Sequence, residues 1–226
     1  MRKLSILFVL LMSASLAFAQ PFQGLGFTLA YRNGMVTSPE LNSYFASSNS
    51  SNYVEPLAFR GSRGGYTIGA DYYISFVSGG VRVSQAWNTA TALDKDGLKT
   101  EMRVSEFHFT PYLGLAYQRN FYHIQLSGGL SFGNNRVLKS TQITGLDKRF
   151  IQNRYRGLFF GYNLRAEASI FYVFFAAEKV FGSKSGSSDT SPLTDNLINV
   201  NYLGNTNANF SGMRYEIGVR FNITED

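Results

Sequence analysis

The sequence contains no cysteine, a single tryptophan, and only 5 proline and 2 histidine residues among its 226. The absence of cysteine excludes disulfide bonds, thiolate metal ligands and cysteine nucleophiles. With so few histidines there is also no His/Cys cluster that would bind a transition metal, and no cofactor is expected. After residue 20 no run approaches 18 consecutive apolar residues, so the rest of the chain has no transmembrane helix.

The N-terminus has the three parts of a secretory signal peptide. Arg2 and Lys3 precede an apolar run at 4–11, and an Ala-Phe-Ala cleavage site follows at 17–19. The alternative is a retained membrane helix, but the apolar run is short and ends in small residues. Loss of Arg2 and Lys3 lowers the net charge from +6 to +4, which gives no reason to expect a nucleic-acid partner. The predicted segments are a cleaved signal peptide, 1–19, and one mature domain, 20–226.

The mature part is rich in aromatic residues and glycine, with 14 Tyr, 20 Phe and 22 Gly in the whole chain. Apolar and polar residues alternate along it, the pattern of strands with two different faces. In the last such segment Met213, Tyr215 and Ile217 alternate with Arg214 and Glu216. The seventh segment is apolar on both faces, so its phase is not fixed. The predicted strands lie at about 24–32, 65–75, 80–89, 107–117, 122–132, 158–169, 172–181 and 213–222.

The predicted connections alternate in length, as eight up-and-down strands require. Long polar loops are expected at 33–63, 90–103, 133–156 and 182–211, and short turns near 77–79, 118–120 and 171. The pattern predicts an all-β fold, a closed antiparallel up-and-down β-barrel, with all the long loops at one mouth.

Alternation alone does not tell which face is inside, and a secreted lipocalin-like or sandwich protein is the alternative. Segments of about 10 residues match a tilted membrane strand, which favours a transmembrane barrel. Small residues and opposed charges on the polar faces suit a narrow lumen; the predicted lumen residues are Arg32, Asp71, Arg82, His108, His123, Arg165, Glu167, Arg214, Glu216 and Arg220. Aromatic residues crowd the short-turn ends, as in a periplasmic interfacial girdle; the predicted girdle is Phe22, Tyr72, Phe76, Tyr117, Tyr122, Phe171, Tyr172 and Phe221, with Tyr73 and Phe121 nearby.

The signal peptide followed by Gln20, the hairpin rhythm and the amphipathic final strand at 211–221 carry a family resemblance. The chain resembles the small outer-membrane β-barrel domain common in Bacteroidota, which is similar to the OmpA/OmpX-type eight-stranded barrel. The resemblance implies a location in the cell outer membrane, contact with its lipid, and an aromatic residue near the end of the last strand for the assembly machinery. Here Phe221 is followed by five more residues, so it is not terminal as in many enterobacterial members.

Residues with catalytic chemistry are few. His108 and His123, with Ser127 or Ser105, are candidates for acyl transfer in a lipid-modifying enzyme, but hydrogen-bonded lumen filling is the favoured interpretation. The carboxylates Asp71, Glu106, Glu167, Glu178 and Glu216 could form acid pairs, although ion pairs with neighbouring Arg or Lys are favoured. The calcium-loop-like residues 94–97 lack the remaining ligands and are predicted to form a turn.

An eight-stranded barrel is just wide enough for side chains to fill its interior. The sequence therefore predicts a non-enzymatic, plugged barrel with a structural or interaction role, either through its long extracellular loops or as an accessory subunit with envelope protein partners. A narrow, porin-like channel or transporter for small molecules is the main alternative, and a lipid-modifying enzyme is the third.

Overall fold

The computed structural model describes residues 23–34, 53–58, 63–119, 121–143, 149–182 and 211–224. The predicted signal peptide and Phe22 lie outside these ranges. Among the described residues no helix is long and apolar enough to cross a membrane. The strands are β1 Gln23–Gly34, β2 Tyr53–Ala58, β3 Arg63–Ile74, β4 Val77–Asp94, β5 Leu98–Arg119, β6 Tyr122–Ile143, β7 Arg149–Ile170, β8 Val173–Gly182 and β9 Gly212–Thr224.

Eight of these strands form a closed antiparallel ring. Neighbours pair in the order β4-β3-β1-β9-β8-β7-β6-β5, and β5 pairs back to β4. First and last strands meet in a continuous register, from Gly24 opposite Thr224 to Gly34 opposite Arg214. Closure leaves no open sheet edge along the ring. The prediction of a closed up-and-down barrel of eight strands is confirmed.

Alternate residues point in and out of the barrel, because successive side chains of a strand lie on opposite faces. In β1, Leu25, Phe27 and Leu29 are exposed, whereas Thr28 and Arg32 are buried. The outer surface is therefore apolar and the interior polar, the reverse of a soluble barrel. The structure also fixes the phase of the strand that the sequence left open: in β8 the inward side chains are Phe174, Ala176, Glu178 and Val180.

The short turns lie close to their predicted positions but not at them. Ile74 pairs with Val77, so the first turn is Ser75 and Phe76, not 77–79. Gly80 lies within β4 and allows close packing there, because a Cβ at this position would overlap the backbone oxygen of Ala70 on β3. Gln118 and Arg119 belong to β5, and Asn120 lies outside the described residues. The third turn is Phe171 and Tyr172, as expected to within one residue.

The predicted long loops at 90–103 and 133–156 are wrong in extent. β4 and β5 continue as a hairpin to a turn at 95–97, and β6 and β7 extend to Ile143 and from Arg149. The short strand β2 also lies inside the predicted loop 33–63 and pairs with the end of β4. Residues 183–210 of the fourth predicted loop lie outside the described residues. The sequence does not predict these ends of β4, β5, β6 and β7 because their outward side chains are no longer regularly apolar. The alternation of apolar and polar residues that marks a strand is lost there.

These extensions build what we call the extended wall, residues 88–94 of β4, 98–106 of β5, 133–143 of β6 and 149–160 of β7. The pairing of β3 with β4 ends at Trp87, and that of β8 with β7 ends at Gly161. The wall therefore continues past the level where the described parts of β3 and β8 end. It lies at the opposite end of the barrel from the short turns.

Candidate functional site

The barrel interior holds a balanced set of buried charges. Five arginines and five carboxylates among the described residues are each at most 5% exposed. Equal numbers of opposite charges allow every group to be paired, which buried ions require. The ten residues are Arg32, Arg82, Arg165, Arg214 and Arg220, and Asp71, Glu106, Glu167, Glu178 and Glu216. We call them the ion-pair ladder.

The lowest part of the ladder, towards the short turns, is built around Arg220. Its Nη2 donates to both carboxylate oxygens of Asp71, at 2.8 and 2.9 Å, and its Nη1 donates to Glu167 at 2.5 Å. The hydroxyl of Tyr112 donates to Asp71 at 2.6 Å. The guanidinium also lies over the ring of Tyr73, 5.1 Å from its centroid. The carboxylates of Asp71 and Glu167 thus share the guanidinium group of Arg220.

The middle of the ladder joins three strands through Arg165. This side chain contacts Glu167 at 2.9 Å on its own strand and Glu216 on β9 at 2.5 Å. The hydroxyl of Thr67 donates to Glu216 at 2.8 Å. Arg82 on β4 donates to the Ser127 hydroxyl at 2.6 Å. All these groups are buried, so each charge interacts with protein and not with bulk water.

The upper part of the ladder centres on Glu178. It accepts from Arg32 at 2.8 Å and from the Asn163 amide at 2.8 Å. Arg214 lies 3.9 Å from Glu178 and donates to Glu106 at 2.9 Å. Because Arg32 also lies 3.8 Å from Glu216, the ion pairs form one connected series from Asp71 to Glu106. This series crosses the interior from the short-turn end to the base of the extended wall.

Small residues make room for the ladder. A Cβ at Gly26 would overlap the side chains of Asp71 and Arg220. A Cβ at Gly69 would meet the Thr28 hydroxyl and come within 3.2 Å of Arg82. Glycine at these positions gives the arginines the volume that a side chain on the neighbouring strand would occupy. The interior is therefore filled by long charged side chains packed against glycine.

The structure does not bring the two histidines together. His108 pairs with Gly133 of β6, ten residues from His123 on the same strand, which corresponds to roughly 33 Å along it. His108 stacks on Phe159 with ring centroids 4.3 Å apart, and His123 meets the edge of Tyr73 at 5.4 Å. Each ring is thus packed as part of the filled interior, at opposite ends of the barrel.

The candidate serines do not complete a catalytic pair with either histidine. Ser127 accepts a hydrogen bond from Arg82 and lies four residues, roughly 13 Å, along β6 from His123. Ser105 is half-buried on the outer face of β5. In the described ranges no group of three or more His, Cys, Asp or Glu side chains could hold a metal ion. The suspected calcium-loop residues lie at the β4–β5 turn, where Gly97 adopts a positive φ of 76°.

The predicted girdle residues lie on the outer surface around the short-turn end. Tyr72, Phe76, Phe171, Tyr172 and Phe221 are exposed, and Tyr117 and Tyr122 are half-buried. Their rings contact one another: the centroids of Tyr117 and Tyr122 are 5.9 Å apart, and those of Tyr172 and Phe221 are 5.8 Å apart. Tyr73 does not belong with them, because its side chain points inward and is 1% exposed. Phe22 lies outside the described residues.

All ten predicted lumen residues lie in the interior, but the prediction omitted Glu106 and Glu178. Both were recognised as carboxylates with basic neighbours, yet neither was placed in the lumen. Glu106 precedes the predicted start of its strand, and Glu178 lies in the segment whose phase was open. Extending the fourth segment by one residue would have placed Glu106 on the inward face with His108. The sequence pattern could not identify Phe159 and Phe174 as inward residues, because the alternation of apolar and polar residues assigns phenylalanine to the outer face.

Comparison with known proteins adds little to this geometry. No family model matches the chain, and no curated protein matches it. Two solved structures of Ail, the attachment invasion locus protein of Yersinia pestis, are similar in part. One, in complex with the heparin analogue sucrose octasulfate, is 12% identical with a TM-score of 0.41; the other is 11% identical with a TM-score of 0.37. Each alignment covers 89% of this chain and 99% of Ail.

Proposed function

We propose that the protein is an outer-membrane β-barrel that is closed to solutes and serves a structural or interaction role in the cell envelope. The observation that carries this proposal is the combination of an apolar outer surface with an interior filled by the ion-pair ladder. An apolar exterior suits lipid as the surrounding solvent. A filled interior removes the space through which a solute would pass.

The apolar band has the height that a bilayer needs. On β6 the outward apolar side chains run from Ile124 to Phe132, and Asn134 and Arg136 follow on the same face. That length agrees with the roughly 9–11 residues of a tilted membrane strand. The aromatic residues at the short-turn end then mark the periplasmic interface, and the extended wall projects into the external medium.

The filled interior argues against the channel alternative. The ladder contains side chains from β1, β3, β4, β5, β7, β8 and β9, so ion pairs connect nearly all sides of the ring. Opening a passage would separate buried charges, each separation leaving an uncompensated ion. The enzyme alternative is disfavoured among the described residues because His108 and His123 lie far apart, Ser127 is hydrogen-bonded to Arg82, and Ser105 lies on the outer face.

With the channel and enzyme alternatives disfavoured, the proposed interaction role depends on the part of the barrel that projects beyond the membrane. The extended wall offers envelope partners a sheet that stands beyond the bilayer, and an accessory subunit of an envelope complex would use the same surface. Outer-membrane fractionation combined with gel mobility of heated and unheated samples tests the proposal. We expect the protein in the outer-membrane fraction and a heat-dependent shift; recovery as a soluble periplasmic protein without a shift would overturn it.

A further inference from the structure

The ring of His123 is enclosed at the short-turn end of the lumen. His123 is the second residue of β6, and its side chain is 1% exposed. The register places it opposite Gln118 of β5 and Ser169 of β7. Its ring stands edge-on to that of Tyr73 on β3, with centroids 5.4 Å apart. His123 precedes Ile124, where the apolar band of β6 begins, so the imidazole is buried close to the aqueous end of the barrel.

His123 has no polar partner among the described residues. Neither of its ring nitrogens is hydrogen-bonded. His108 has a carboxylate oxygen 3.9 Å away, whereas no ion pair between described residues includes His123. Most buried polar groups are paired. A neutral imidazole loses its hydrogen bonds to water in such a place, and a charged imidazolium without a partner would cost far more.

The charged groups around His123 are already engaged with one another. Asp71 of β3 is the acidic group that acts on the ring. Both of its carboxylate oxygens accept hydrogen bonds from Arg220 of β9, and one also accepts from Tyr112 of β5. Glu167 of β7 accepts from Arg220 as well. A proton on His123 would therefore add a sixth cation to an interior whose five arginines and five carboxylates are in balance.

We propose that His123 makes the short-turn end of the filled interior sensitive to acid. Histidine takes up a proton below about pH 6.5. The imidazolium gains an anionic partner here only if the Asp71–Arg220 pair breaks or the ring moves out to water, so acid loosens this end of the lumen. In the orientation given under the proposed function, on which this inference rests, the short-turn end faces the periplasm. His123 would then couple the packing of the lumen to periplasmic pH.

The sign of the effect follows from proton binding in the two states. In the unfolded chain His123 binds a proton below about pH 6.5, whereas the folded interior offers that proton no partner. The unfolded state then holds more protons, so stability falls as the pH falls. Through His123, each pH unit below that value raises the unfolding equilibrium constant about tenfold. Above it the ring is neutral in both states, and the stability is fully present.

The test uses the full mature chain reconstituted in lipid vesicles, unfolded with urea at about pH 7.5 and about pH 5. His123→Gln keeps a polar side chain that does not titrate, and His123→Phe keeps the shape of the ring. His108→Phe is the matched control, because it removes the other histidine and leaves His123 in place. Hydrogen exchange of the same samples, corrected for the intrinsic effect of pH, compares the short-turn end at 118–126 with residues 102–108 at the other end of β5.

Between these two pH values we expect the unfolding equilibrium constant to rise about thirtyfold more in the wild type and in His108→Phe than in the two His123 variants. Acid should speed hydrogen exchange of the wild type at 118–126 and leave 102–108 unchanged. The same pH dependence in the wild type and both His123 variants would overturn the proposal, as would faster exchange at 102–108 alone. Failure of the wild type to insert into vesicles would instead refute the proposed membrane barrel.

Discussion

Arg165 and Glu216 form a buried ion pair between β7 and β9, with 2.5 Å between Nη1 and Oε2. Each side chain is 1% exposed. The pair lies near the centre of the ion-pair ladder, and each partner touches a further charge, Glu167 on one side and Arg32 on the other. Its removal therefore disturbs the ladder in both directions.

We predict that Arg165→Met destabilises the folded barrel by roughly 3–5 kcal/mol, because Glu216 and Glu167 lose their shared cation in a buried site. Urea unfolding of protein reconstituted in lipid vesicles measures the change. Replacement of the exposed Arg119 by Gln is the control, with an expected change within about 0.5 kcal/mol. Equal effects of the two substitutions would show that the ladder does not hold the barrel together.

Gly26→Ala should destabilise the barrel and Gly128→Ala should not. A Cβ at Gly26 overlaps the Asp71–Arg220 pair, whereas a Cβ at Gly128 comes no closer than 3.5 Å to Leu164, an ordinary contact. We expect a loss of about 1–3 kcal/mol for the first, as for an overpacked core, and a small change for the second. The temperature at which the heat-dependent gel shift occurs reports the difference. A barrel whose interior is loosely filled would accommodate both alanines equally.

Replacement of each histidine by phenylalanine should affect the free energy of unfolding differently at the two positions. Neither ring nitrogen of His123 has a hydrogen-bond partner, while its ring packs on Tyr73. Replacing an unsatisfied buried polar group by an apolar one of similar shape is nearly neutral or stabilising, so His123→Phe should not lower the free energy of unfolding.

His108 lies 3.4 Å from Arg214 and 3.9 Å from Glu106, so His108→Phe removes polar contacts of buried charges. We expect a loss of about 1–3 kcal/mol. Urea unfolding of both variants checks the pair of predictions, and lipid A profiles of the same variants examine the enzyme alternative. Destabilisation by His123→Phe comparable to that by His108→Phe would contradict the assigned environments.

The absence of cysteine permits single-cysteine labelling of the topology. Lys95→Cys, at the β4–β5 turn, should react with a membrane-impermeant maleimide in intact cells. Phe76→Cys, in the first short turn, should react only after the outer membrane is permeabilised. Leu126→Cys, on the apolar outer face, should resist the reagent in both conditions because lipid covers it. Labelling of Phe76→Cys in intact cells would invert the assigned orientation.

The sequence predicts the barrel well because the outward faces of its strands are apolar and the inward faces are polar. In β1 and β9 this alternation is regular enough to give their faces and their place in the ring. It fails for β8, where Phe174 and Val180 are inward and apolar, so both faces read alike. It also fails for the extended wall, whose outer face no longer needs apolar residues.

The interior could be predicted as a set of residues but not as a network. Polar positions on inward faces identify Arg165 and Glu216 as lumen residues, yet their pairing depends on the register of β7, β8 and β9, which one sequence does not determine. For Tyr73, the sequence does not even give the correct face of the strand. Its aromatic ring and its place beside a short turn suggested the outer girdle, but the phase of β3 points it at Arg220.

Single-channel recording in planar bilayers tests the central claim most directly. If the ion-pair ladder fills the lumen, purified protein should insert without a large, stable open state, and Arg165→Met should be the first variant to show transient openings. A large and stable conductance of the wild-type protein would contradict the account, because no such current can pass an interior closed by paired charges.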